Sequence, residues 1–352
     1  TGVKAFTLLS DEPDLLTSVK PKLYFLETMA AYYEKKSPLA EVMQKAQKAI
    51  NYDKTAAYNY LVMGWIMQDM QNDSCEYYFN KASTIAPNWA YPYNGLGSYF
   101  AGTNRLTLAI PYFKKAIAID SLYSDAYRNT GMVYYNLDQL DSAKKYFLKA
   151  TKIPPCDPYA NENYASANAN YINPDFGNSP YDYQYFKIAR SFYLKSIDCK
   201  KDFATAYKKL ADLYVRGNKK DSALLTLQNC IATNPANDEA HRNIGNYYLN
   251  ILADNINAEL YLKKATELNP VNIDNYLALG RFYRRMKQRN RELSTYQSAL
   301  TFLPGNKEIY NETGNAFFAA PTLYDSAIAY YNLALAVDPK LSFTYCNLGN
   351  IF

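Results

Sequence analysis

Residues 91–120, YPYNGLGSYFAGTNRLTLAIPYFKKAIAID, and residues 124–155, SDAYRNTGMVYYNLDQLDSAKKYFLKATKIPP, decide the fold when laid on one another. At a step of 34 residues Tyr93 falls on Tyr127, Gly97 on Gly131, Phe100 on Tyr134, Ala109 on Ala143, Phe113 on Phe147 and Ala116 on Ala150. The first half of each copy carries its large and small residues at i, i+3, i+4 and i+7, the stripe of an amphipathic helix. The second half sets a small residue, a large one four later and a small one three after that, which is a second such helix. Pro155 closes it, where a helix cannot easily continue.

The same beat runs outward through the chain. Of 13 glycines, Gly64, Gly97, Gly131, Gly245, Gly280, Gly314 and Gly349 recur at steps near 34 or its multiples, and Ala165 and Ala211 fill the two gaps. A small residue at one place per repeat is what two closely crossing helices demand. With that residue counted as slot eight, slot four is Tyr60, Tyr93, Tyr127, Tyr207, Tyr276, Tyr310 and Tyr345, and His241 takes the place in one repeat. The second-helix pattern recurs from Cys75, Ala189, Ala223, Ala258 and Ala327, with Glu292 as the exception. Further prolines close it at Pro87, Pro235, Pro270, Pro304 and Pro339.

This pattern resembles the tetratricopeptide repeat family, W-x₂-L-G-x₂-Y…A-x₃-F…P at about 34 residues. Tyr stands for Trp at slot four almost throughout, which accounts for part of the excess of 37 tyrosines over 2 tryptophans. The resemblance implies an all-α, right-handed superhelical solenoid of about nine antiparallel helix pairs and a terminal half-repeat. Repeats are expected to start near Leu23, Ala57, Ala90, Ser124, Pro158, Ala204, Asp238, Ile273, Lys307 and Ser342. Residues 1–22 are expected to form a capping segment, with Ser10 as an N-cap, ahead of the solenoid at 23–352. An insertion at about 172–183, in the fourth full repeat counted from Ala57, reads as a protruding loop around which Tyr171, Phe176, Tyr181, Tyr183 and Tyr185 cluster. The chain stops inside a first helix and is expected to be a piece of something longer.

Composition excludes much chemistry. One histidine cannot build an H-E-x-x-H zinc helix or a Cys₂His₂ finger. The five cysteines contain no C-x-x-C pair, which fits reduced thiols and a cytoplasmic setting. His241 at slot four reads as an aromatic packed between helices, and Cys75 and Cys230 read as core fillers. No phosphate loop occurs, and no apolar run reaches the length of about 18 residues that would span a membrane. A non-catalytic protein with no cofactor and no metal is expected. Net charge is +5, a modest excess for a nucleic-acid binder.

What remains are polar residues that helix packing does not require. The resemblance implies a concave groove lined by first helices, where successive repeats present Asn, Lys and Arg. Asparagine can bond a peptide N–H and C=O together, and Arg or Lys can pair with carboxylates. Arg128, Lys208, Arg242, Asn246, Arg281, Arg284, Asn311 and Asn315 are the expected peptide-binding residues, for an extended and acidic segment of another protein. The family's chaperone carboxylate clamp is not expected. Arg242 and Asn246 meet its first part, but Ala278, Glu308 and Glu312 stand where its remaining amide and bases belong. The run RFYRRMKQRNRE, residues 281–292, is expected to place Arg281, Arg284 and Arg285 on the groove and Lys287 to Arg291 in a turn. The alternatives are a substrate-recruiting region of a larger enzyme or membrane protein, and a single-stranded nucleic-acid binder with stacking tyrosines.

Overall fold

A computed structural model describes residues 25–34, 38–173, 177 and 180–351. Two compact units divide the chain, Thr1–Tyr171 and Ile172–Phe352, and the division falls at the insertion. Among the described residues there are helices and turns and no strand. The expected capping helix at Ser10 lies outside them, as does Phe176.

In the first unit, helical residues 25–34 (α1) precede α2 (Leu39–Tyr52), α3 (Ala57–Asp69), α4 (Cys75–Ile85), α5 (Ala90–Gly102), α6 (Leu106–Ile119), α7 (Ser124–Asn136), α8 (Leu140–Ala150) and α9 (Pro158–Ala169). The slot-eight glycines are small for a visible reason. A Cβ on Gly64 would stand 2.5 Å from the ring of Phe79, one on Gly97 2.6 Å from Phe113, and one on Gly131 2.5 Å from Phe147. Each phenylalanine belongs to the second helix of the same pair and is at most 1% exposed. Burying each such side chain stabilises the unit by about 2–3 kcal/mol.

Slot-four tyrosine has its own reason. The Tyr60 hydroxyl donates to the Lys54 carbonyl at 3.2 Å, and Tyr93 to Pro87 at 3.1 Å, in the turn just before each helix. The ring fills the space between helices while the hydroxyl ties down a turn carbonyl.

The second unit contains α10 (Pro180–Cys199), α11 (Ala204–Arg216), α12 (Lys220–Thr233), α13 (Asp238–Tyr247), α14 (Asn255–Leu268), α15 (Ile273–Arg285), α16 (Arg289–Phe302), α17 (Lys307–Phe318), α18 (Tyr324–Val337) and α19 (Ser342–Gly349). Gly245 faces Leu262, Gly280 faces Tyr296 and Gly314 faces Tyr331, repeating the glycine-on-large-residue packing. His241 is buried at slot four, and its Nε2 lies 2.9 Å from the Pro235 carbonyl, the bond that tyrosine makes elsewhere.

Three expectations need correction. The insertion is not loop throughout, because α10 begins at Pro180 and takes Tyr181, Tyr183 and Tyr185 into its first turns. Asp182, 1% exposed, accepts the backbone N–H groups of Asn173 at 3.0 Å and Gly177 at 3.2 Å. Gly177 has φ +100°, a conformation that suits glycine. Second, Arg289 and Arg291 are not in a turn but in the first turn of α16, and the turn is Met286–Gln288. Third, not all thiols are reduced: Cys75, Cys230 and Cys346 are free, whereas Cys156 and Cys199 are disulfide-bonded.

The turns inside the pairs share one backbone geometry. Gln71, Asn104, Asp138, Asn218 and Lys287 all have φ between 54° and 58°. The following N–H reaches back to the fifth residue before it, as from Asn72 to the Met67 carbonyl at 2.9 Å and from Gln288 to Tyr283 at 2.9 Å. This is a Schellman closure with a side-chain-bearing residue in the left-handed position. The Asn and Asp at three of the five places were the available signal.

Candidate binding groove

First helices of successive repeats are stitched together by polar side chains, and this decides which candidate residues remain open. In the first unit Arg128 donates to Asp125 at 2.6 Å, lies 3.7 Å from Asp157 and sits over the ring of Tyr159. It is committed within its own unit. Asn129 on the same helix donates to Asn94 of the preceding repeat at 3.0 Å.

In the second unit the remaining seven candidates divide. Arg242 on α13 donates to the side-chain oxygen of Asn275 on α15 at 2.7 Å and lies 3.6 Å from Asp274. Asn275 is fully buried and in turn donates to Asp238 at 2.8 Å and to the Ala265 carbonyl at 2.9 Å. Arg284 is held between Glu292 and Glu312, each at 2.6 Å. Burial pushes Glu292 above the usual carboxylate range, against the pull of the Arg284 guanidinium. Asn311 is buried and accepts from Thr344 at 3.0 Å, while Asn315 accepts from Tyr331 at 2.8 Å and Asn347 at 2.9 Å. Lys208 pairs with Asp212 at 2.8 Å, but both are about half exposed, so water screens the pair and it yields easily to a ligand.

Arg281 and Asn246 stand apart. Arg281 is exposed and its Nε donates to the Leu277 carbonyl at 3.1 Å; it makes no ion pair among the described residues. Asn246 is half-buried and makes no hydrogen bond among the described residues. Both line two adjoining recesses across α11, α13 and α15. One, of about 360 Å³, is walled by Lys208, Asp212, Asn243, Asn250 and Ile251 as well. The other, of about 320 Å³, adds Arg242, Leu249, Asp274 and Arg285. Asn243 is 8% exposed, and its Nδ2 donor makes no hydrogen bond among the described residues.

Asn250 lines both recesses and lies in the π-helical turn, Tyr248–Leu252, that follows α13 before Ala253 adopts φ 55°. Such turns are rare and recur at functional sites. Arg285 donates to the Asn250 oxygen at 2.9 Å. Asn243 and Asn250 were missed as site residues. Their first-helix slots were the signal, and the π-turn was not visible in sequence. Four bases (Lys208, Arg242, Arg281, Arg285) face two acids (Asp212, Asp274) across the two recesses, so their lining is net positive.

The paired helices define the class of protein: an all-α array of tetratricopeptide helix pairs, a fold that typically serves as a non-catalytic interaction scaffold. The tetratricopeptide repeat family model matches residues 90–121 and 124–155, so these two helix pairs are tetratricopeptide repeats, and the other pairs resemble them in packing. The human IFIT1 dimer with m7Gppp-AAAA is similar at a TM-score of 0.60 and 14% identity, over 95% of this chain and 78% of that one. The APC/C hetero-tetramer Cut9–Hcn1 is similar at a TM-score of 0.50 and 15% identity, over 99% of this chain and 59% of that one. At such identities the likeness is one of fold. Comparison with curated protein sequences gives no match. Among the described residues no helix is long and apolar enough to cross a membrane.

Proposed function

We propose that this chain is a non-catalytic scaffold whose second unit binds an extended, acidic segment of another protein across α11, α13 and α15. The observation that carries this reading is the convergence of Arg281 and Asn246, without side-chain partners among the described residues, on two adjoining recesses of net positive lining. Asn246, Asn243 and Asn250 supply amides that match peptide N–H and C=O groups, and Arg281 and Lys208 supply charge for acidic side chains. Of the eight candidates, Arg242, Arg284, Asn311 and Asn315 belong to the frame that holds these helices in register, and Arg128 lies in the other unit.

The test is a pull-down at physiological salt with wild type, Arg281→Glu and Asn246→Asp, with and without nuclease. Arg242 is left intact because its loss would disturb the helices themselves. Protein partners captured by wild type and lost with both variants support the proposal. Capture abolished by nuclease would replace a protein segment with nucleic acid, the ligand class carried by the IFIT1 structure. Partners retained by both variants would place binding elsewhere.

A further inference from the structure

We propose that the second unit reads a charge-segregated segment: an acidic stretch at Arg281, followed by an apolar and basic stretch at a third recess around Glu308 and Phe343. This rests on the binding reading above and specifies the partner's chemistry. The third recess, about 400 Å³, lies on the other side of α15 and is lined by Leu277, Lys307, Glu308, Asn311, Glu312, Leu341 and Phe343. Leu277 of this recess and Ala278 of the basic one are consecutive on α15, so the two recesses flank that helix.

Its charge is opposite. Lys307, its one base, is paired with Asp338 at 2.6 Å, and Glu312 is held by Arg284. Glu308 is exposed and makes no ion pair among the described residues; only its backbone N–H is engaged, by Asn306. Leu277, Leu341 and the 45%-exposed Phe343 give this recess apolar walls beside Glu308. A uniformly acidic ligand would meet Arg281 well and then run against Glu308. Like charges brought together at an interface suppress a wrong partner, and complementary ones fix its register.

The spacing is set by helix geometry. Neighbouring first helices lie roughly 8–10 Å apart, and Arg281 and Glu308 occupy slots nine and two, about 10 Å apart along the helix axis at 1.5 Å per residue. The diagonal is spanned by about four residues of extended chain. The partner therefore carries Asp or Glu, then a leucine-like residue beside Lys or Arg about four positions away.

Fluorescence anisotropy with the whole chain and three labelled synthetic peptides tests this. One carries a glutamate block followed at that spacing by a leucine–lysine block, the second interleaves the same residues, and the third is the glutamate block alone. Wild type is expected to bind the segregated peptide about tenfold more tightly than either other. Glu308→Lys and, more mildly, Glu308→Gln are expected to remove that advantage without weakening the glutamate block, and circular dichroism confirms that both variants fold. Equal binding of the segregated and interleaved peptides, or no effect of either Glu308 variant, overturns the inference. If Arg281→Glu still weakens the glutamate block in that case, only this inference fails. If Arg281→Glu changes nothing for any peptide, the binding reading falls with it.

Discussion

Arg242 donates to the side-chain oxygen of Asn275 at 2.7 Å, across 33 residues of sequence and from one first helix to the next. A residue expected to hold a ligand is thus a strut between repeats. Asn275, fully buried, also bonds Asp238, so the three side chains form one network.

Arg242→Ala leaves the buried Asn275 oxygen without its donor, and the variant is expected to lose about 2 kcal/mol of stability. Chemical denaturation followed by circular dichroism measures it. A loss under about 0.5 kcal/mol would return Arg242 to the list of ligand-binding residues.

Asp238 gives this network a pH dependence. Burial raises its carboxyl, but hydrogen bonds from Asn275, Asn272 and Asn269 and the charge of Arg242 outweigh this, so it lies below the usual carboxylate range. A folded-state value below the unfolded one contributes stability that is present above the unfolded value and lost as pH falls through the folded one. Wild type should therefore exceed Asp238→Asn in stability at neutral pH, with the difference shrinking as pH falls below about 4. Thermal melts across that range would expose a difference that stays constant, which is contrary to expectation.

Gly131→Ala places a methyl 2.5 Å from the ring of Phe147, too close to be accommodated in place. The expected cost is about 1–3 kcal/mol. Gly102→Ala is the control, because nothing lies within 4 Å of its added Cβ. Equal melting temperatures for the two variants would contradict the packing account of slot eight.

Lys287 holds φ 57° at the close of α15 with a side chain attached. Lys287→Gly removes that strain and should raise stability by about 1 kcal/mol. A lower melting temperature would show that the Lys287 side chain contributes more than its backbone costs.

Asp182→Ala deprives the N–H groups of Asn173 and Gly177 of their shared acceptor. Limited proteolysis should then cut the segment between α9 and α10 faster than in wild type, whatever the effect on binding. Unchanged cleavage would mean that Asp182 does not hold this segment.

The sequence alone determined the architecture. A 34-residue beat of glycine, tyrosine and large second-helix residues is a local, repeated signal, and Gly64 on Phe79 or Gly314 on Tyr331 needs only the neighbouring helix of the same repeat. The role of His241 was legible for the same reason, since it stands where tyrosine stands in most repeats. The polar face was legible only as a list. Whether Arg284 is free depends on Glu292 and Glu312, and whether Asn311 is free depends on Thr344 and Asn347, partners that lie in other helices. The helical end of the insertion, the disulfide state of Cys156 and Cys199 and the π-turn that contains Asn250 also waited on tertiary structure. Side-chain polarity is a property of one residue, but its availability depends on what the folded chain places within 3 Å of it.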